Sequence, residues 1–90
     1  MSNPYLQAFD LTGTSILITG GGGILGGEIG RALFACGADV TVLDYNLPAA
    51  QKLVASFSAQ PGAGHGLAVQ GDVLQPESVQ AAVAQALAAF

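Results

Sequence analysis

Basic residues are nearly missing from this 90-residue sequence. Arg31 and Lys52 are the only two, against six acidic residues, for a formal net charge of −4. A nucleic-acid groove needs clustered Lys and Arg, so no nucleic-acid partner is expected. A basic amphipathic helix lying on a membrane surface is excluded for the same reason. Cysteine is scarce too: Cys36 stands alone. It cannot form an internal disulfide, which suits a reducing compartment. No apolar run approaches the roughly 20 residues of a spanning helix. The opening Met1-Ser2-Asn3-Pro4-Tyr5 has neither a basic region nor an apolar core, so no secretory signal is read there. The expectation is a soluble, cytoplasmic protein with no membrane partner. Charged residues make up only 9% of the chain and hydrophobic ones 51%. That is too apolar for disorder and rather apolar for a small domain, which hints at faces that something else should cover.

What is present is a regular alternation of short apolar runs and helical patterns. Ser15-Ile16-Leu17-Ile18-Thr19 lies between Gly13 and Gly20 and reads as a strand buried on both faces. A helix follows from about Leu25, with Leu25, Ile29, Ala32, Leu33 and Cys36 on one face, and Gly37 in place of a left-handed cap. Val40 to Leu43 is a second strand ending at Asp44. Asn46-Leu47-Pro48 opens a second helix, whose Leu53, Val54 and Phe57 would face the sheet. Ala59 to His65 is a Gly/Pro loop, and Gly66 to Gln70 a third strand with Leu67 and Val69 on one face. Pro76-Glu77-Ser78 opens a third helix carrying Val79, Ala82, Val83, Ala86, Leu87 and Phe90 as a stripe to the last residue, with no stop signal. The order β-α-β-α-β-α predicts an α/β fold: a parallel three-stranded sheet of order 3-2-1, half of a doubly wound domain. The unfinished stripe and the open edge of strand 1 point to an N-terminal half of a longer domain.

The most informative stretch is Thr19-Gly20-Gly21-Gly22-Gly23-Ile24-Leu25-Gly26. Five glycines in eight residues, between a strand and a helix, make a loop almost free of side chains. Its backbone N–H groups can approach a phosphate closely, and the helix adds its positive dipole end. Gly21, Gly23 and Gly26 satisfy G-x-G-x-x-G, a weak signal alone. Asp44 strengthens it by ending the next strand 18 residues after Gly26. A carboxylate there can accept from both hydroxyls of an adenosine ribose and would repel a 2′-phosphate. NAD is therefore favoured over NADP.

These residues resemble the short-chain dehydrogenases/reductases across essentially the whole chain. Phe9-Asp10-Leu11-Thr12-Gly13 is similar to that family's lead-in to the first strand. Thr19-Gly20 opens a loop like its T-G-x-x-x-G-x-G, and Gly26 closes it. Gly37-Ala38-Asp39-Val40 falls at the family's spacing, and Gly71-Asp72-Val73 looks like its adenine contact. The resemblance implies an N-terminal portion of an NAD(P)-binding Rossmann domain. Gly20, Gly22, Gly23, Ile24, Leu25 and Gly26 would surround the pyrophosphate, Asp44 would hold the ribose, and Asp72 with Val73 the adenine. It implies hydride transfer at a hydroxyl or carbonyl carbon of a small-molecule substrate, in a protein that is a homo-oligomer at full length.

Ile24 departs from the family's usual glycine. The variant Gly-Gly-Ile-Leu-Gly is similar to the D-mannonate (fructuronate) oxidoreductase-like subgroup, which implies a sugar acid. The family's Tyr-x-x-x-Lys pair is not found: four residues after Tyr5 and Tyr45 stand Phe9 and Ala49. No catalytic residue is therefore assigned. Two alternatives remain open: a stand-alone nucleotide-binding or interaction module, and an extended-branch sugar-nucleotide epimerase or dehydratase. Plainer roles also remain. Asp72 could cap a turn before the third helix, Cys36 pack in the core, and Tyr5 and Phe9 serve as packing residues. Glu28 suits the first turn of its helix. His65, with no Cys, Asp or second His near it in sequence, is not expected to hold a metal.

Overall fold

The structure, a computed structural model, describes residues 10–20, 24–57 and 63–90. Gly21, Gly22 and Gly23, the aromatics Tyr5 and Phe9, and most of the expected Gly/Pro loop lie outside the described residues, as does the side chain of Leu25. The elements alternate as β1 (Ser15–Thr19), α1 (Ile24–Ala35), β2 (Asp39–Asp44), α2 (Leu47–Ala55), β3 (Gly66–Gln70) and α3 (Pro76–Ala89). The three strands form one parallel sheet with β2 between β1 and β3. The register pairs Ile16 with Val40 and Thr19 with Leu43 on one side, and Val40 with Gly66 and Asp44 with Gln70 on the other.

Side chains alternate across the sheet, so each strand feeds two layers. On one face α1 and α2 cover a core of Phe34, Ala38, Val40, Val42, Ala50 and Leu53, joined by Ile16 and Ile18. The Phe34 and Phe57 rings stack there at 4.8 Å. On the other face α3 covers a smaller core of Leu43, Val69 and Ala82, joined by Leu17 and Leu67.

Three expectations about burial are corrected. β2, not β1, is the strand buried on both faces: Val40, Thr41, Val42 and Leu43 are fully buried, whereas Ile16, Leu17 and Ile18 are half-buried. β1 pairs on one side only among the described residues, so its outer edge lacks cover. In α1 the inward line is Gly27, Gly30 and Phe34, at i, i+3 and i+7, while Ile29 and Ala32 are exposed. Glycine gives this face no hydrophobic signal of its own, while Leu53, Ile18 and Phe57 pack against it. A Cβ on Gly30 would lie 3.4 Å from Ile18 Cδ1 and 3.5 Å from Phe57 Cζ. On α3 only half of the apolar stripe is covered. Ala82 and Ala86 are buried, but Val83, Leu87 and Phe90 are exposed, Leu87 at 74%.

Local chemistry places the ends of the elements. Gly37, at φ +99°, closes α1, and the N–H of Ala38 reaches back to the Leu33 carbonyl at 3.1 Å. Asn46 caps α2 by accepting from Ala49 N at 3.2 Å. Ahead of β1, Asp10 Oδ1 accepts from Thr12 Oγ1 and Thr12 N, and these bonds hold its carboxyl below the usual carboxylate range. Glu28 falls past the first turn of α1, contrary to expectation. Its partner is instead Arg31, at 2.6 Å.

The Thr41 hydroxyl is buried at the centre of β2 without a hydrogen-bond partner among the described residues. An unpaired buried hydroxyl is destabilising, and valine has nearly its shape. Thr41→Val in the full-length protein is expected to raise stability by about 1 kcal/mol. Urea denaturation reads this as a higher midpoint; an unchanged or lower midpoint would show that the hydroxyl is satisfied.

Candidate functional site

All three strands run in the same direction, so their carboxyl ends share one edge of the sheet. In open α/β sheets that edge is where ligands bind. β1 ends at Thr19, and Gly20 turns away at φ +64°, its N–H donating to the Leu43 carbonyl at 2.8 Å. Only glycine takes that backbone conformation without strain. Ile24, Leu25 and Gly26 then form the start of α1. Gly20 and the head of α1 thus flank residues 21–23 and set where a phosphate-binding turn would begin and end. Gly22 and Gly23 themselves lie outside the described residues.

Asp44 ends β2 at this edge, half-buried. Its Oδ1 accepts from Asn46 N at 2.9 Å, and its carbonyl accepts from Gly71 N at 3.1 Å. The second bond ties the end of β2 to the residue that follows β3. Beside it opens a cavity of about 190 Å³ lined by Tyr45, Gln70, Gly71, Asp72 and Ser78. This is smaller than the roughly 300–1,000 Å³ of a site for a whole drug-sized ligand and has the scale of one ring. Asp72 lines it while its Oδ1 accepts from Leu74 N at 2.9 Å, and its carbonyl accepts from Gln75 N at 2.9 Å. The turn-forming role and a place at the cavity therefore coexist in Asp72. Val73 is exposed and is not among the lining residues.

The structure thus gathers Gly20, the first turn of α1, Asp44 and Asp72 along one edge. Tyr45, Gln70 and Ser78 join the cavity unforeseen. In the sequence Tyr45 stands out only as a tyrosine without a lysine four residues on, and Ser78 only as part of a helix start. For Tyr45 and Gln70 the available signal is adjacency, one residue from Asp44 and two from Asp72, whereas Ser78 has no such signal.

The basic side chains give this edge little positive charge. Arg31 is held by Glu28 and lies 3.2 Å from Ser56 Oγ, and Lys52 is exposed in α2. His65 has an acid beside it that lies far from it in sequence. Its Nδ1 lies 2.9 Å from Asp39 Oδ1, which also accepts from His65 N at 3.0 Å. That pair sits where β2 and β3 begin, at the opposite end of the strands. No group of three or more metal-ligating side chains occurs among the described residues. No helix among them is long and apolar enough to cross a membrane.

Comparison with known proteins agrees with this geometry. The sequence pattern of the short chain dehydrogenase family matches residues 14–90. A 2,5-dichloro-2,5-cyclohexadiene-1,4-diol dehydrogenase from Sphingobium indicum is 41% identical over 81 residues, 90% of this chain and 30% of that protein. Among solved structures, a candidate D-mannonate oxidoreductase from Haemophilus influenza with bound NAD superposes with a TM-score of 0.83 at 28% identity. The match covers 96% of this chain and 30% of that one. A 3-ketoacyl-(acyl-carrier-protein) reductase from Brucella melitensis, complexed with NADH, superposes at 0.74 with 32% identity, covering 89% and 31%. The chain spans about a third of the length of the curated relatives it matches.

Proposed function

This chain belongs to the short-chain dehydrogenase family, and we propose that its protein is an NAD-dependent oxidoreductase to which these residues contribute the adenosine and pyrophosphate half of the cofactor site. Nicotinamide, when bound, supplies the hydride donor or acceptor, and the substrate carbon is a hydroxyl or carbonyl. The residues present fit such a cofactor. The backbone N–H groups of Gly22, Gly23, Ile24, Leu25 and Gly26 hold the pyrophosphate, helped by the amino end of α1, while Gly20, whose own N–H is taken by the Leu43 carbonyl, turns the chain into the loop. Asp44 accepts from the ribose hydroxyls. Asp72 contacts the adenine, and the ring-sized cavity that it lines is what a purine requires; Val73, which does not line that cavity, takes no part.

One observation supports this reading above the others: the Gly71 N–H to Asp44 carbonyl bond, which holds the end of β2, and with it the acid proposed for the ribose, next to the ring-sized cavity. A sugar acid is the substrate class we favour, from the Ile24 loop variant and the likeness to the D-mannonate oxidoreductase candidate. The proposed full-length protein is a cytoplasmic homo-oligomer.

The test is the full-length protein assayed with NAD and a panel of sugar acids, followed by nicotinamide absorbance. Expected is NAD reduction, with ADP-ribose competing against NAD. Failure to bind NAD, NADP and ADP-ribose alike would end the reading. Turnover of other alcohols but no sugar acid would keep the cofactor assignment and discard the substrate class.

A further inference from the structure

Tyr45 is an aromatic residue at this edge whose exposure is out of keeping with its chemistry. It follows Asp44 directly, lines the cavity, and is 75% exposed. A large aromatic ring left in water forgoes its apolar burial, so its placement at a cavity mouth is informative. The backbone on either side is fixed. Asn46 donates its N–H to Asp44 Oδ1, and its side chain accepts from Ala49 N at the head of α2. Tyr45 is thus held at a rigid corner, and little order would be lost when a ligand lies against it.

The other lining groups are suited to the edge of a ring rather than its face. Asp72 offers a carboxylate acceptor, Gln70 an amide that both donates and accepts, and Ser78 a hydroxyl. Cavity size, one aromatic side chain and polar groups from two further elements together describe a slot for a flat, hydrogen-bonding heterocycle. We infer that Tyr45 is the stacking face for the adenine ring of the cofactor and a main determinant of cofactor affinity. This rests on the cofactor reading above. It adds that affinity comes from a π-face, beyond the carboxylates.

The probe is ADP-ribose, titrated calorimetrically into the full-length protein and its Tyr45→Ala, Tyr45→Leu and Tyr45→Phe variants. Base stacking on an aromatic side chain predicts that alanine weakens binding about tenfold. Leucine, apolar without a π-face, also binds about tenfold more weakly, and phenylalanine stays within about twofold of the parent. The exposure of Tyr45 means that these variants keep the fold, which circular dichroism checks. If Tyr45→Ala or Tyr45→Leu binds ADP-ribose as tightly as the parent, stacking is overturned while the cofactor reading stands. If the parent itself does not bind ADP-ribose, the cofactor reading fails first.

Discussion

Gly64→Ala is expected to destabilise the protein by about 3 kcal/mol or more, the scale of severe overpacking. Gly64 leads into β3 where that strand's approach passes the end of α1. Its N–H donates to the Phe34 carbonyl at 3.1 Å, and the next residue's carbonyl accepts from Val40 N at 2.8 Å. A Cβ on Gly64 would overlap the backbone carbonyl of Ala38 and stand 2.9 Å from Gly37 O. These are main-chain atoms, so no rotamer change can yield. Gly37 cannot move freely either, because its φ of +99° and its N–H bond to Phe34 O at 3.0 Å close α1. Relief would have to part β3 from the end of α1. Gly13→Ala is the control: φ there is +85°, but a Cβ would meet nothing within 4 Å. It should cost only the left-handed strain, about 1 kcal/mol. Urea denaturation of the full-length protein separates the two, and a Gly64→Ala midpoint no lower than that of Gly13→Ala would refute the close approach.

Gly64 also illustrates what was hidden in the sequence. The elements, their order and the 3-2-1 sheet were legible, because strand runs and helical patterns are local and their punctuation was clear. Ser15–Thr19 and Gly66–Gln70 are the strands expected, and Asn46 and Gly37 cap as expected. Facing was less legible. A hydrophobicity pattern places Ile29 inward on α1, but the inward positions are Gly30, which faces Ile18 of β1, and Gly27, which faces Leu53 of α2, and neither carries a hydrophobic signal. β1 reads as the most buried strand because burial was inferred from its own residues, whereas the neighbours decide it. In the site, acids at strand ends were legible from spacing. Tyr45 and Ser78 were not, because their role depends on α2 and α3 starting beside the same cavity. The His65–Asp39 pair spans 26 residues and has no local signature at all.

Asp44 carries the largest expected effect on function. On the proposed cofactor reading, Asp44→Ala in the full-length protein should lower the preference for NAD over NADP by about a thousandfold in kcat/KM. Two terms of similar size make up that figure. Losing hydrogen bonds from ribose hydroxyls to a charged acceptor costs about 2 kcal/mol, some thirtyfold against NAD. Removing a carboxylate from beside a 2′-phosphate relieves a repulsion of about the same size, screened by solvent at this half-buried position. The gain for NADP stops there, since Arg31 is engaged by Glu28 and no new cation appears. Alanine also removes the acceptor for Asn46 N–H at the head of α2. Asp44→Asn separates the two roles, because its amide oxygen can still accept that bond while the charge is gone. Both variants should lose cofactor discrimination, and only Asp44→Ala should also loosen the start of α2, read by amide exchange at Asn46. Equal use of NAD and NADP by the parent enzyme would remove Asp44 from this role. So would an Asp44→Asn enzyme that discriminates as the parent does, since that substitution removes the charge and turns one acceptor oxygen into a donor amide.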